Sequence, residues 1–416
     1  MARLLRWRQP VWLRWRLLLV IALLVVLDVW THRRRLTISR PASNLDPPFH
    51  IGCQEPILNG SARAQAVLVM LARNTDLVGA VASVRSVQRQ FNRHFAYPWV
   101  FLNDQPWESD FVEAVGEVLA EDSSGARASF ETIPADMWGY PDWIDRKKAR
   151  SSMLKMQNRG VRYAGEESYH HMCRFQSGFF YDHPALRGYK WYWRVEPDIS
   201  FTCAITYDPF VEMERHRKRY GYTMALWEGD TTAPSLFHKL SRYKTERRLP
   251  ASSLWTAMKS PSYLPWPLRR LRRFLPNHDS YGEAWNLCHF WTNFEIADMG
   301  FYRSAEYRRL FHFLDRDGGF YYERWGDAPV HSLAVAMLLR PEEVHHFSDV
   351  GYVHDTLQYC PYGPTAESLK RGELVPKVSG QLDKLRAREL GCRCDCATGA
   401  KTIRPICFNR IKRTIM

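Results

Sequence analysis

The stretch YKWYWRVEPDISF, Tyr189 to Phe201, sets Glu196 and Asp198 on either side of a proline, directly after a dense aromatic run. On an extended chain, residues i and i+2 point to the same face, so these two carboxylates are expected on one side of a strand end. The intervening proline cannot donate to a sheet ladder, which predicts that the strand finishes there. Paired carboxylates are costly to desolvate unless a cation or a substrate uses them, and an exposed acidic turn satisfies the same spacing. Other chemical candidates also stand at element ends: Glu228 after YGYTMALW, Glu295 in FWTNFEIADMGF, and His354 in GYVHD. No G-x-G-x-x-G, Walker A loop, G-x-S-x-G elbow or H-E-x-x-H occurs, which sets aside the commonest dinucleotide, ATPase, hydrolase and metalloprotease readings.

The elements that must position these residues read as α/β. AVLVML (Ala66 to Leu71) is a buried strand, and the segment from Asp76 to Phe95 is a helix with Leu77, Val81, Val84, Val87 or Gln88, and Phe91 along one stripe. YPWVFLND (Tyr97 to Asp104) is the next strand, so a parallel strand–helix–strand unit is expected. Ligands of such sheets sit beyond the carboxyl ends of strands, where Arg73, Asn74, Asn103 and Asp104 fall. Further strands are YYWRVEPD and Tyr220 to Glu228. SAEYRRLFHFL is an amphipathic helix capped by Ser304, with Tyr307, Leu310, Phe311 and Leu314 inward. A second helix spans Asp327 to Leu339, with Asp327 as its cap and Pro341 beyond its end.

The 416 residues carry a formal charge of +14, unevenly placed. Residues 1–40 hold nine arginines against Asp28 alone, so the body has little excess charge and a nucleic-acid partner is poorly supported. LLLVIALLVVL (Leu17 to Leu27), flanked by Trp12, Trp15 and Trp30, reads as a signal anchor: Arg14 and Arg16 can snorkel, and no small-residue cleavage site follows. The reading is a cytoplasmic tail at 1–10, a transmembrane anchor at 11–30, a stem at 31–60 and a lumenal domain at 61–416. Asn59-Gly60-Ser61 is a glycosylation sequon. Nine cysteines in an oxidising compartment predict disulfides, including the CRCDC run, with one cysteine left over and the connectivity open.

The blocks YHHMCRFQSGFFYDHPAL, YYWRVEPDISF, HFWTNFEIADMGFYRS, DRDGGFYYERWGDAPVHSLAVAMLL and GYVHDTLQYCP resemble the signature blocks of the fungal Golgi α-1,2-mannosyltransferases, glycosyltransferase family 15. The resemblance runs from about Ala66 to Cys407. It implies a GT-A type, Rossmann-like fold with a mixed sheet, and a type II Golgi membrane protein. The implied reaction is transfer of mannose from GDP-mannose to the 2-hydroxyl of an acceptor α-mannoside on a glycoprotein or oligosaccharide, with retention and Mn²⁺. Carried onto this chain, Glu196 and His354 match the metal ligands, and Glu295 matches the carboxylate proposed as nucleophile or oxocarbenium stabiliser. Tyr169 matches a tyrosine near the donor, and Arg73 falls in a nucleotide-associated block. Glu228 and Asp327 fall in similarly matched blocks, and Asp198 is expected to orient Glu196. The chemistry agrees: a hard cation on one carboxylate and one imidazole neutralises a departing diphosphate. Two other functions fit the chain, a weakly catalytic scaffold subunit of a mannosyltransferase complex and a transferase with another donor, such as one moving mannosylphosphate.

Overall fold

The computed structural model describes residues 11–36, 47–53, 56, 63–121, 124–250, 252–361, 390–396, 400–403, 407 and 410–411. Its central sheet has seven strands: β1 (Ala66–Leu71), β2 (Trp99–Asn103), β3 (Ala128–Thr132), β4 (Trp191–Val195), β5 (Tyr220–Tyr222), β6 (Phe294–Asp298) and β7 (Val344–His346). They lie in the order β7-β5-β6-β4-β1-β2-β3. β1 has no polar alternation because both of its faces are covered, and Ala66 to Met70 are all buried. It pairs in parallel with β2 and β4, with Leu68 opposite Trp99 and Ala66 opposite Trp191. β6 runs antiparallel to both β4 and β5, which makes the sheet mixed. A smaller four-stranded sheet joins Ile199–Phe201, Tyr352–His354, Leu357–Tyr359 and Lys401–Thr402.

Helix α1 (Val11–Leu36) is followed in the chain by α2 (Leu77–Val87). α2 buries Ala80, Val84 and Val87, and the helical path continues through a π turn at Gln88–Asn92 rather than straight to Phe95. The reason is local: Asn92 grips Tyr97 with both ends of its amide, accepting from the backbone N–H at 2.7 Å and donating to the carbonyl at 3.0 Å. That clamp redirects the chain into β2. Asp76 caps α2 with no side-chain bond; its carboxylate instead accepts the Arg73 N–H at 2.9 Å.

Downstream come α3 (Glu167–Gly178), α4 (Ala305–Asp317) and α5 (Asp327–Leu338). α4 follows its sequence signals closely: Ser304 Oγ accepts the Tyr307 N–H at 3.2 Å, and Tyr307, Leu310, Phe311 and Leu314 are buried. α5 departs from the expected cap, since Gly326 occupies the cap position and Asp327 is the first helical residue. The expected single strand from Tyr220 to Glu228 is two, because Tyr220–Tyr222 joins the central sheet while Ala225–Trp227 pairs antiparallel with Cys288–Phe290.

The boundaries near the N-terminus also move. α1 extends to Leu36, so residues 31–36, expected in the stem, are helical. Phe49 stacks on His345 with ring centroids 3.7 Å apart, and Cys53 is bonded to Cys392, so this part of the expected stem is strapped to the body. Asn59 lies outside the described residues. The other disulfides are Cys203–Cys394, Cys288–Cys407 and Cys360–Cys396, which sends each cysteine of CRCDC to a different partner and leaves Cys173 buried as a thiol.

Candidate active site

The carboxyl end of β4 is the organising point. Val195 is the last strand residue, and the chain turns at Pro197 and Asp198 before entering Ile199–Phe201. Asp198 takes a left-handed φ of 58°, so the same-face rule for extended chains no longer applies and the two carboxylates part company. The Asp198 backbone N–H donates to the Gly79 carbonyl at 3.2 Å, and a Cβ on Gly79 would lie 2.5 Å from Asp198 Oδ1. The carboxylate is thus seated on the first turn of α2, where the helix dipole favours negative charge. Asp198 fastens the turn to the helix, and it makes no hydrogen bond to Glu196.

Glu196 stays at the strand end, half-buried, with Arg194 Nε donating to its Oε1 at 2.5 Å. Arg194 sits within buried β4 and also reaches Asp327 Oδ2 with Nη1 at 2.5 Å, while Thr292 Oγ1 donates to the same oxygen at 2.8 Å. Burial works against the charge on Asp327, yet the Arg194 guanidinium outweighs it and holds the carboxyl at about 2. Burial likewise opposes the Arg194 charge, and Asp327 and Glu196 reverse that effect. Asp327 is therefore the counter-ion of Arg194 rather than a helix cap.

His354 reaches the same region through the small sheet. Tyr352–His354 runs antiparallel to Ile199–Phe201 with His354 opposite Ile199, three residues past Glu196. The imidazole packs on Trp291 at 5.1 Å between centroids, and its Nδ1 lies 2.6 Å from the Asn293 side-chain amide. Asn293 Oδ1 is buried without a partner among the described residues. Amide nitrogen and oxygen are assigned by hydrogen bonding, and exchanging them lets Oδ1 accept from Nδ1–H. That orientation leaves the Nε2 lone pair free, as a metal-ligating histidine requires. A carboxylate and an imidazole oriented in this way are donor types that suit a divalent cation. Among the described residues no cluster of three or more His, Cys, Asp or Glu side chains could hold a metal.

Glu295 behaves differently. It lies opposite Arg194 in the β6–β4 ladder but has no accessible surface. Tyr192 and Tyr302 hydroxyls donate to Oε1, the latter at 2.6 Å; Tyr220 donates to Oε2 at 2.8 Å, and His331 Nδ1 meets Oε2 at 3.0 Å. Burial, then Glu295 itself, pushes the Tyr302 hydroxyl well above its usual range; burial does the same to Tyr220. Both tyrosines therefore remain donors, and with Tyr192 they give the carboxylate two hydroxyl donors on Oε1 and one on Oε2, where the His331 ring, whose Nε2 lies 3.0 Å from the Gln176 carbonyl, also packs. It presents no free oxygen to a sugar in this arrangement.

A third group lies between α3 and the strand Ala225–Trp227. Arg324 donates from Nη2 to Glu228 Oε1 at 2.8 Å and from Nη1 to Tyr169 Oη at 3.1 Å. Burial pushes the Tyr169 hydroxyl well above its usual range, and its ring stacks on Tyr163 at 4.8 Å. Arg73 stands beyond the carboxyl end of β1, with its side chain mostly exposed and Nε 3.6 Å from Asp76. Asn74 bridges to the loop after β2, donating to the Pro106 carbonyl at 3.0 Å and accepting the Glu108 N–H at 3.1 Å, so it holds a loop rather than facing a ligand.

The sequence profile described as glycolipid 2-alpha-mannosyltransferase matches residues 39–376. The chain belongs to this family. It is 40% identical over 372 residues to the O-glycoside alpha-1,2-mannosyltransferase homolog 4 of Schizosaccharomyces pombe, covering 84% of this chain and 77% of the relative. It is 42% identical over 303 residues to the glycolipid 2-alpha-mannosyltransferase of Saccharomyces cerevisiae, covering 73% and 63% respectively. Among solved structures it is similar to core-mannan synthase A from Aspergillus fumigatus in its Mn/GDP form, with TM-score 0.69, 29% identity, and 91% of this chain and 92% of that chain covered. The mannosyltransferase Ktr4p from S. cerevisiae in complex with GDP matches with TM-score 0.68, 31% identity, and coverages of 94% and 97%. The mixed α/β sheet is accordingly of the GT-A type. For this mannosyltransferase family member, Arg194 and Arg324 are the residues that sequence reasoning passes over. The available signal for Arg194 is a charge in the middle of an otherwise apolar strand, which requires a buried carboxylate partner.

Proposed function

We propose that this chain transfers mannose from GDP-mannose to the 2-hydroxyl of an acceptor α-mannoside with retention of configuration, extending O- or N-linked mannose chains from a Golgi-lumenal body anchored by α1. The observation that carries the reading is the convergence at the β4 end: a half-open Glu196 and an Asn293-oriented His354, in a fold whose solved neighbours include an Mn/GDP form. Glu196 and His354 would hold Mn²⁺, which neutralises the charge developing on the departing diphosphate. Arg194 holds Glu196 in place, with Asp327 as its second anchor. Tyr169, Arg324 and Glu228 form a rigid, charge-balanced group, which we assign to the sugar side of the cleft. Arg73 stands exposed beyond β1, suited to the nucleotide. Glu295 is proposed as a positioning residue that keeps its tyrosine cage and β6 rigid. Its saturated oxygens favour same-face attack guided by the leaving phosphate over a covalent intermediate on this carboxylate. α1, long and apolar enough to cross a membrane, with three arginines at its far end, supports the anchor.

The test is the full-length protein with GDP-mannose and α-methyl mannoside, with and without Mn²⁺, and the product linkage read by NMR. An α-1,2 disaccharide formed only with the metal is the expected result. Transfer independent of metal, or another linkage, would overturn the reading. Glu196→Ala is expected to abolish metal-dependent GDP binding while the protein still folds, and retained affinity would remove Glu196 from the metal site. Glu295→Gln is expected to leave GDP binding intact and to eliminate transfer; near-normal turnover would remove Glu295 from the mechanism.

A further inference from the structure

The segment between Ser262 and Leu275 is the least expected part of the surface. It contains a short helix, Trp266–Leu271, and a turn, Arg272–Phe274. Tyr263, Trp266, Leu268, Leu271, Phe274 and Leu275 are all exposed, Tyr263 and Phe274 by 75%. A water-soluble surface rarely gathers so many large apolar side chains, and such a patch marks something that covers it. Arg270 and Arg273 stand exposed among them.

What covers it is indicated by the segment's other contacts. Asp28 follows directly on the apolar run Leu17–Leu27, and so marks where α1 leaves hydrocarbon. Its carboxylate accepts the Trp266 backbone N–H at 2.8 Å and lies 3.5 Å from Arg269 Nη2. One turn further on, His32 Nε2 accepts the Ser262 N–H at 3.1 Å, and the Arg33 guanidinium lies 3.8 Å from the Tyr263 ring centroid. The segment is therefore held at the depth of the membrane boundary, beside the anchor. Its composition of Trp, Tyr, Leu and Phe with interspersed Arg is that of an interfacial element, the aromatic rings at headgroup level and the guanidinium groups toward the lipid phosphates.

We propose that residues 262–275 form a second membrane contact, lying in the lumenal headgroup layer against α1 and holding the catalytic body in one orientation on the lipid surface. The proposal rests on reading α1 as a membrane span. The test uses the full chain in nanodiscs of phosphatidylcholine with and without phosphatidylserine, doped with a lipid carrying a photoactivatable diazirine near the glycerol, and adducts mapped by mass spectrometry. The expected result is adducts on both α1 and 263–275 in either lipid. The triple variant Trp266→Ser, Leu271→Ser, Phe274→Ser should lose the second set and keep the first, with GDP binding unchanged as the control for folding. Adducts on α1 alone would overturn the proposal. Adducts on 263–275 without α1 would instead overturn the membrane span while sustaining the lipid contact. Cross-links between two copies through 263–275, with no lipid adduct there, would replace the lipid by a second protein and overturn it as well.

Discussion

Glu196 stands just past the end of β4 and Glu295 on the neighbouring strand β6, each in its own sequence block, yet their surroundings are opposite. Glu295 is enclosed, with three tyrosine hydroxyls and one imidazole sharing its two oxygens. Glu196 has one hydrogen-bond donor, Arg194, and part of its side chain meets solvent. A carboxylate can accept about four hydrogen bonds; three hydroxyls and the packed His331 ring enclose Glu295, whereas among the described residues Glu196 is met by Arg194 alone and holds capacity in reserve. The difference teaches how to separate a carboxylate that builds the protein from one that is open to a ligand: solvent access and unspent acceptor capacity go together.

The largest effect that would break this contrast is at Glu295. Glu295→Ala leaves three hydroxyls and His331 Nδ1 without their acceptor in a fully buried site. The expected loss is about 3–5 kcal/mol of folding stability, read as a lowered urea midpoint at unchanged slope. A loss below about 1 kcal/mol would show that the cage repacks and that the saturation argument overstates the role of Glu295.

Next in size is Asp327, which shares Arg194 with Glu196. Its folded carboxyl lies at about 2, below the ordinary 3.8, so its contribution is present above pH of about 4 and is lost as the pH falls toward about 2. At about 1.4 kcal/mol per unit the amount is about 2 kcal/mol. Asp327→Asn should flatten the acid limb of a stability-versus-pH curve by that amount. An unchanged limb would mean that Arg194 is balanced by Glu196 alone.

These pairings explain how far the sequence could be read. β1 and β2 were legible because a continuous apolar run states its burial directly, β4 because its aromatic run does so around one arginine, and α4 because its cap and stripe are local. The turn at Pro197 was legible as a strand end, but the direction of Asp198 was not, since a left-handed residue against Gly79 is set by a helix more than a hundred residues earlier. Arg194 and Asp327 are 133 residues apart, and Arg324 and Glu228 are 96 apart; nothing in either segment alone names its partner. The split at Thr223–Met224 is likewise decided by two different neighbouring strands competing for one apolar run.

A smaller effect sharpens the open side of the comparison. Asn293→Ala removes the group that orients His354 without touching any cation directly. Loss of such an orienting partner lowers metal affinity by ~10–100-fold, and the affinity for Mn²⁺ with GDP present can be followed by the loss of the free-ion EPR signal. Unfolding should be nearly unchanged, because only one bond is lost. Equal affinity for wild type and variant would remove Asn293 from the site.

The smallest expected effect is the most informative one. Glu196→Gln keeps the volume and one acceptor for Arg194 Nε, while Asp327 continues to neutralise the guanidinium. Stability should therefore change by no more than ~1 kcal/mol, the range of a partly exposed ion pair, although the same substitution removes a charge from the proposed cation site. Glu295→Gln is the matched control, since an amide brings an N–H toward tyrosine donors and cannot accept at both positions. If the two glutamine variants lose equal stability, Glu196 is as structural as Glu295 and the reserve of acceptor capacity at β4 is not a ligand site. If Glu196→Gln is stable but no longer binds GDP with Mn²⁺, two carboxylates one strand apart have been separated by the solvent access and acceptor capacity that each retains.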